Sequence, residues 1–161
     1  MNVNIRNMTE NEYSNWIKLS TEQQAIDRHK VSSKPVDEER NELKKLLPHI
    51  LPDGVYTSES IFLSIDTDED KNIGFLWFHE LPSIPEKAIF LMDIQLEKSK
   101  RSKGYGKIAL VKAHKLLKNL GYENVLLNVL IENYAKDLYS KLGYIGVEDN
   151  NNSILMNYHL G

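Results

Sequence analysis

A pair of glycines surrounded by basic side chains is the part of this chain whose residue types point most directly to chemistry. Gly104 and Gly106 flank Tyr105, and residues 97–107 contain five basic residues and one acidic residue, a net charge of +4 in a chain whose total is −3. Glycine lets a backbone approach a ligand closely, and the free N–H groups at the start of a helix attract an anion. The segment therefore predicts a site for the phosphates of a compact polyanion, whereas the acidic remainder of the chain disfavours a surface that coats nucleic acid.

Two common phosphate motifs fit this glycine pair poorly. A Walker A loop would place glycine at position 101 and serine or threonine at position 108, where the chain has Arg101 and Ile108. The permissive dinucleotide fingerprint is satisfied by Gly104, Gly106 and Ala109. However, its first glycine should directly follow a strand, and the 52 residues after Ala109 cannot form a second mononucleotide-binding half. A nucleotide-binding module is therefore a weak alternative, whereas the basic run taken alone also fits a solvated loop or a basic peptide that binds nucleic acid.

The hydropathy pattern and the breaker residues predict the elements that position this segment. The predicted elements are a strand near residues 3–5, helices at 10–29 and 36–47, strands at 61–65, 73–78 and 88–96, a helix at 105–119, a strand at 125–130, a helix at 133–142 and a closing hairpin at 144–147 and 153–159. The order βααβββαβαββ indicates the α+β class rather than a doubly wound parallel sheet. A length of 161 residues fits a single domain over residues 1–161.

Two segments of the chain resemble the signatures of one enzyme family. Ile94-Gln95-Leu96, followed after a loop by Arg101-x-x-Gly104-x-Gly106, resembles motif A of the GNAT family of N-acetyltransferases. The segment Asn133-x-Ala135-x-x-Leu138-Tyr139-x-x-Leu142-Gly143-Tyr144 is similar to the second signature of that family. The resemblance implies a GNAT-like mixed, mostly antiparallel central sheet flanked by helices. It also implies direct transfer of an acetyl group from acetyl-CoA to a primary amine.

The resemblance further implies which residues contact the co-substrate. The end of the strand would hydrogen-bond pantetheine, the N–H groups of the loop would hold the pyrophosphate, and Arg101 would support or contact that pyrophosphate. The implied binding residues are Ile94, Gln95, Leu96, Arg101, Ser102, Lys103, Gly104, Tyr105, Gly106, Lys107 and Asn133. Lys98 and Lys100 face either the 3′-phosphate or solvent, and they stand where the family often has a Pro-Glu-aromatic sequence. Asn133 is equally suited to capping the helix that follows it.

Two residues are candidates for the proton transfers of this reaction. Tyr139 matches the position of the family's proton donor to the departing thiolate, and a phenol with a pKa of about 10 keeps its proton at neutral pH. Asp93 is a carboxylate in an apolar strand, where burial would raise its pKa toward that of a useful base. If the strand is regular, Asp93 shares a face with Leu91 and Gln95. A structural role for Asp93, His79 as the base and a chain of waters are the alternatives.

Residue types that are missing from the chain also restrict its chemistry. The sequence contains no cysteine, so it excludes a cysteine-bound acyl intermediate, in agreement with direct transfer. No spacing of His, Asp and Glu indicates a metal site. The N-terminal residues lack the apolar region of a secretory signal, and no apolar run is long enough to span a bilayer. We therefore expect a cytoplasmic protein with no membrane partner, no nucleic-acid partner and no metal, present as a monomer or a homodimer.

The acceptor has no signature in the sequence, but the charge distribution suggests its class. Residues 1–96 hold 10 basic and 17 acidic residues, a net charge of −7. The acidic residues singled out in this region are Asp37, Glu38, Glu39, Glu80, Glu86 and Asp93. A negative potential favours a cationic acceptor, so we predict a small-molecule or peptide amine such as a polyamine, an amino sugar or a lysine side chain. The alternative function is a non-catalytic regulator that binds acyl-CoA.

Overall fold

The regular elements follow the predicted order βααβββαβαββ, and a computed structural model describes them over residues 2–133 and 135–161. The elements are β1 (Val3–Asn7), α1 (Glu10–Ser32), α2 (Val36–Ile50), β2 (Ser60–Thr67), β3 (Gly74–His79), β4 (Ala88–Leu96), α3 (Tyr105–Asn119), β5 (Asn124–Leu130), α4 (Ala135–Leu142), β6 (Ile145–Asn150) and β7 (Ser153–His159). Short 3₁₀ turns at Gly54–Tyr56 and Lys98–Lys100 were not predicted. The α+β class is confirmed.

The strands form one seven-stranded sheet in the order β1-β2-β3-β4-β5-β7-β6. β4 and β5 run parallel, and the other neighbouring strands of this sheet are antiparallel, which confirms the predicted mostly antiparallel arrangement. β4 pairs with β5 over Ala88–Phe90, although β4 continues to Leu96 and β5 to Leu130. The second half of β4 is therefore not paired with β5, and the two strands diverge there.

A β-bulge interrupts β4 at Met92. Phe78 of β3 pairs with Leu91, whereas the adjacent Trp77 pairs with Asp93, so Met92 is an extra residue in β4. Directly paired residues point to the same side of a sheet, so Leu91 and Asp93 lie on opposite faces. The prediction that Leu91 and Asp93 share a face is wrong, because the bulge shifts the alternation of side chains by one residue.

The two faces of the sheet carry separate hydrophobic cores. One core contains α3 residues such as Ala109, Leu110 and Leu117, together with Tyr139 of α4. The other core contains Trp16 of α1 and the side chains of Phe62, Phe75 and Trp77. The helices α1 and α2 therefore cover the face that carries Asp93, while α3 covers the opposite face.

The start of α1 follows local chemistry, whereas the end of α2 does not. Thr9 and Glu12 form a capping box at the start of α1, as the sequence predicts. The helix α2 continues through Pro48 to Ile50, although the pattern predicts an end before the proline. Packing of Leu47 and Ile50 against the core on this face accounts for the extra turn. Within the described residues, no helix has both the length and the apolar character required to cross a membrane.

Candidate active site

A cleft of about 1020 Å³ opens where β4 and β5 diverge. Its walls are the second halves of β4 and β5, the glycine loop with the first turns of α3, the start of α4, and residues of α1 and α2. Asp93 and Tyr139 both line this cleft, as do Gly104 and Gly106. The structure therefore connects the predicted phosphate loop and the two predicted proton-transfer residues through one continuous space.

The glycine loop presents backbone N–H groups at one end of the cleft. Gly104 is the N-cap of α3 with φ of 86°, a left-handed conformation that favours glycine, and no side chain caps the helix. The first helical hydrogen bond runs from the N–H of Ile108 to the carbonyl of Gly104 at 3.2 Å. The N–H groups of residues 105–107 precede that bond and have no partner inside the helix. A Cβ atom added to Gly104 would meet no protein atom within 4 Å, so the space beside this turn is open to a ligand.

Contacts at the end of β4 hold this loop in position. Arg101 donates a hydrogen bond from Nε to the carbonyl of Leu96 at 3.0 Å. The Nζ atom of Lys100 lies 2.6 Å from a carboxylate oxygen of Asp70. Arg101 thus supports the loop, and Lys100 is engaged in an ion pair rather than facing only solvent.

Most of the predicted binding residues line the cleft. Those that do are Ile94, Gln95, Leu96, Arg101, Ser102, Gly104, Gly106, Lys107 and Asn133. Lys103 is exposed and Tyr105 packs against the core beneath α3, so neither side chain reaches the cleft wall. The Oδ1 atom of Asn133 accepts a hydrogen bond from the N–H of Ala135 at 2.9 Å. The side chain of Asn133 therefore caps α4 at the edge of the cleft.

Asp93 combines burial with access to the cleft. Removal from water raises the pKa of Asp93 to about 6, and the negative charge of Asp27 adds to this rise. The side chains of Ser20 and Gln95 counteract it in part, since the amide of Gln95 donates a hydrogen bond to Oδ2 of Asp93 at 2.8 Å. A carboxyl group with this pKa is ionised at neutral pH and can still take up a proton readily.

Tyr139 reaches the same cleft from α4. Burial, with a contribution from the charge of Asp93, raises the pKa of Tyr139 to about 12, so the phenol remains protonated at neutral pH. Its ring packs edge-on against Tyr144 with ring centres 5.6 Å apart. Tyr144 in turn lies 2.7 Å from Nε2 of His114, a contact that sequence reasoning missed because it joins residues thirty positions apart.

His79, the alternative candidate for the base, makes its side-chain contact within the hairpin of β2 and β3. Its Nδ1 atom lies 2.6 Å from the hydroxyl of Ser60, which also accepts a hydrogen bond from Nε1 of Trp77 at 3.1 Å. Burial lowers the pKa of His79 below its usual value. His79 does not line the cleft in the described part of the chain, so this histidine stabilises the hairpin of β2 and β3.

The acidic residues of the cleft differ from those that the sequence suggested. Asp37, Glu38, Glu80 and Glu86 are exposed and lie outside the cleft wall, whereas Glu39 and Asp93 line it. The structure adds Asp27 and Glu42, together with the basic residues Arg28 and Lys34. These four side chains come from the end of α1, the start of α2 and the connection between them. Only the packing of α1 and α2 over the sheet brings them to the cleft, so no sequence spacing marks them.

Comparison of the sequence with known families identifies the class of protein to which this chain belongs. The model of the acetyltransferase (GNAT) family matches residues 18–144. The chain belongs to this family and is therefore an acyltransferase. The resemblance noted in the sequence is thus confirmed.

Relatives agree with this assignment. The uncharacterised N-acetyltransferase YycN of Bacillus subtilis is 26% identical over 145 residues, which is 89% of this chain and 93% of that protein. The crystal structure of YycN covers 92% of this chain and 96% of its own, with a TM-score of 0.83 and 24% identity. The PaiA N-acetyltransferase of Thermoplasma acidophilum, solved with coenzyme A, covers 99% of both chains with a TM-score of 0.71 and 19% identity. The spermidine N-acetyltransferase of Vibrio cholerae, solved with CoA and spermine, covers 98% of this chain and 95% of its own, with a TM-score of 0.70 and 15% identity.

Proposed function

We propose that this protein transfers an acetyl group from acetyl-CoA directly to a primary amine. The observation that carries the proposal is the single cleft that joins the N–H groups at Gly104 to the side chains of Asp93 and Tyr139. Family membership and the CoA-bound structures of PaiA and the spermidine enzyme support acetyl-CoA as the donor.

The residues of the cleft fit a CoA thioester. Backbone N–H groups at the start of α3 would hold the pyrophosphate, and the open space beside Gly104 would leave room for it. The second half of β4, which is not paired with β5, offers backbone hydrogen-bonding groups to the pantetheine arm, much as an added strand would use them. Ile94 and Leu96 supply an apolar surface at the same place.

The two titratable residues would divide the proton transfers between them. Acetyl-CoA supplies an activated acyl group, which the neutral amine attacks. Asp93, ionised above about pH 6, accepts the proton that the amine must lose. Tyr139 keeps its proton at neutral pH and donates it toward the departing sulfur. Both roles are proposals that rest on position in the cleft and on the direction of each pKa shift.

The acceptor that we propose is a cationic small molecule or peptide amine. Asp27, Glu39 and Glu42 line the cleft on its α1 and α2 side together with Arg28 and Lys34. Acidic residues outnumber basic ones in this set, and a net negative charge attracts an ammonium group. The acidic residues on this side of the cleft favour a cationic amine over an acidic amino acid as the acceptor.

Calorimetric titration followed by an acceptor screen tests the function. The proposal expects tight, selective binding of acetyl-CoA but not of NAD or of a generic oligonucleotide. It then expects release of free CoA that depends on an added amine. Binding without amine-dependent release would indicate a non-catalytic regulator, and tight NAD or oligonucleotide binding would contradict the proposal.

A further inference from the structure

A buried serine of α1 contacts Asp93 from inside the protein. Trp16 of α1 packs in the same core as Trp77, and Trp77 pairs directly with Asp93 between β3 and β4. Ser20 follows Trp16 by four residues, so it projects from the same face of the helix toward the sheet. It is 0% exposed, and its side chain forms a hydrogen bond with the carboxylate of Asp93. In the described part of the chain Asp93 lines the cleft and Ser20 does not, so Ser20 reaches the carboxylate from behind.

The hydroxyl group of Ser20 has one proton to donate, and its other contacts leave that proton for Asp93. The Oγ atom of Ser20 accepts a hydrogen bond from Nε2 of Gln24 at 3.0 Å. A serine or threonine inside a helix often donates instead to the carbonyl four residues earlier. The neighbouring Thr21 does so, to the carbonyl of Ile17 at 2.7 Å, but Ser20 makes no such hydrogen bond among the described residues. Gln24 therefore fixes the direction of the Ser20 hydroxyl.

Gln95 supplies a second donor to the same carboxylate, since its Nε2 atom lies 2.8 Å from Oδ2 of Asp93. The titratable groups that act on Asp93 or respond to it are Asp27 of α1 and Tyr139 of α4. The other charged residues that line the cleft are Arg28, Lys34, Glu39, Glu42, Arg101 and Lys107. Among the described residues, β3 and β5 contribute no charged side chain to the cleft. The contact with Ser20 is uncharged, so it can be removed without altering any of these charges.

We propose that Ser20 is a positioning residue for the acetyl transfer, which holds the carboxylate of Asp93 toward the cleft while Gln24 orients the Ser20 hydroxyl. The inference rests on the proposed function, in which Asp93 accepts the proton of the amine, and it extends that function to two residues of α1. A base whose side chain is held by donors from two elements keeps one orientation toward the reacting nitrogen.

The first experiment measures the pH dependence of kcat/KM for Ser20→Ala. Loss of a hydrogen bond to an ionised carboxylate favours its protonated form, so the change of slope expected near pH 6 should move upward by about one pH unit. At neutral pH kcat should fall by roughly tenfold or more, because Asp93 is no longer held in one orientation, while KM for acetyl-CoA stays unchanged. Gln24→Met should move the change of slope in the same direction by a smaller amount. A folded Ser20→Ala variant with the wild-type profile would overturn the inference.

Thr21→Val is the matched control, because it removes a buried hydroxyl from the next position of α1 that bonds to the helix backbone instead. It should keep the wild-type kcat and pH profile. Similar changes in both variants would assign the effect to the packing of α1 and contradict the role of the Ser20 hydroxyl. In an Asp93→Asn background, Ser20→Ala should lower kcat by less than about twofold, since it acts through Asp93. A further tenfold loss in that background would also contradict the inference.

Denaturant unfolding tests the same contact without any assay of activity. Ser20→Ala should lower the free energy of unfolding more at pH 8, where Asp93 is ionised, than at pH 4, where it holds a proton. Equal losses at the two pH values would contradict the inference. If no amine is acetylated, the proposed function fails, and the unfolding comparison still decides whether Ser20 holds the ionised carboxylate. Acetylation with a wild-type pH profile in Ser20→Ala defeats the inference alone.

Discussion

Asp93 and Tyr139 face one cleft from opposite sides, and the negative charge of Asp93 helps to raise the pKa of Tyr139 to about 12. The phenol is thereby kept protonated, while burial leaves Asp93 with a pKa of about 6. At neutral pH one group can accept a proton and the other can donate one. The proposed transfer to an amine requires one group that is ionised and one that is protonated, and Asp93 and Tyr139 supply these two states.

Replacing the phenol tests the proposed proton donor. Tyr139→Phe removes one oxygen atom and keeps the ring that packs against Tyr144, so the fold should be retained. We expect kcat to fall by roughly 100-fold, the lower end for general acid catalysis, in a steady-state assay of CoA release. Wild-type turnover in this variant would show that the thiolate departs without help from Tyr139.

The pH dependence of the reaction tests the proposed base. Wild-type kcat/KM should rise more steeply with pH below about 6 than above it, because Asp93 must lose its own proton before it can accept another, whereas the acceptor amine loses its proton over the whole range. Asp93→Asn should lower kcat/KM and remove this change of slope, while the rise caused by the amine remains. If the change of slope persists in Asp93→Asn, another group or a chain of waters accepts the proton.

The same substitution should change stability in a pH-dependent manner. The pKa of Asp93 in the folded state lies above its ordinary value, so the folded protein holds a proton that the unfolded chain releases between about pH 4 and pH 6. Ionised Asp93 therefore lowers the free energy of unfolding as pH rises through this window. Asp93→Asn should be more stable than wild type by about 1–3 kcal/mol at pH 8, with the advantage shrinking toward pH 4. Denaturant titrations at pH 8 and pH 4 measure the difference in free energy of unfolding between the variant and the wild type. An equal difference at both pH values would contradict the statement that burial raises the pKa of Asp93.

A glycine comparison tests the phosphate loop. Gly104→Val should abolish binding of acetyl-CoA, because the side chain would fill the open space beside the turn and strain a backbone with φ of 86°. Gly121→Val is the matched control, since Gly121 follows the other end of α3 with φ of 99° and equally open surroundings. Calorimetry should show that Gly104→Val loses the binding of acetyl-CoA and that Gly121→Val keeps it. Similar losses in both would indicate that strain in α3, rather than occupation of a ligand site, is responsible.

The hydrogen bond between His114 and Tyr144 should contribute to stability. Tyr144→Phe leaves Nε2 of a buried histidine without its 2.7 Å partner, which should lower the free energy of unfolding by about 1–3 kcal/mol. Tyr158 stacks on His114 at 4.2 Å between ring centres, and its hydroxyl has no hydrogen bond to the described residues. Tyr158→Phe should therefore cost less than about 0.5 kcal/mol. Equal losses in thermal or denaturant unfolding would contradict the role given to the hydrogen bond.

The sequence could predict the elements around the glycine loop because they are local. Residues 94–107 form the end of a strand, a loop and the start of a helix, and their spacing together with their resemblance to motif A of the family indicates this end of the cleft. The bulge at Met92 could not be predicted, since it depends on how β4 pairs with β3. Regular alternation along β4 therefore predicts the wrong face for Leu91 relative to Asp93.

The α1 and α2 side of the cleft could not be predicted because it is assembled by tertiary packing. Net charge alone indicates exposed carboxylates such as Glu38 and Glu86, which lie away from the cleft. Glu39 differs from Glu38 by one position on α2, yet the rotation of the helix buries it. Only the packing of α1 and α2 over the sheet determines that Glu39 is buried while Glu38 is exposed.

The mass of the product formed from acetyl-CoA and an amine tests the central claim most directly. A folded wild-type protein should yield an amine that carries one added acetyl group, with one free CoA released for each, while the protein itself gains no mass. Gly104→Val should form none of this product. Release of CoA without an acetylated amine, or an acetyl group retained on the protein, would contradict direct transfer within this cleft.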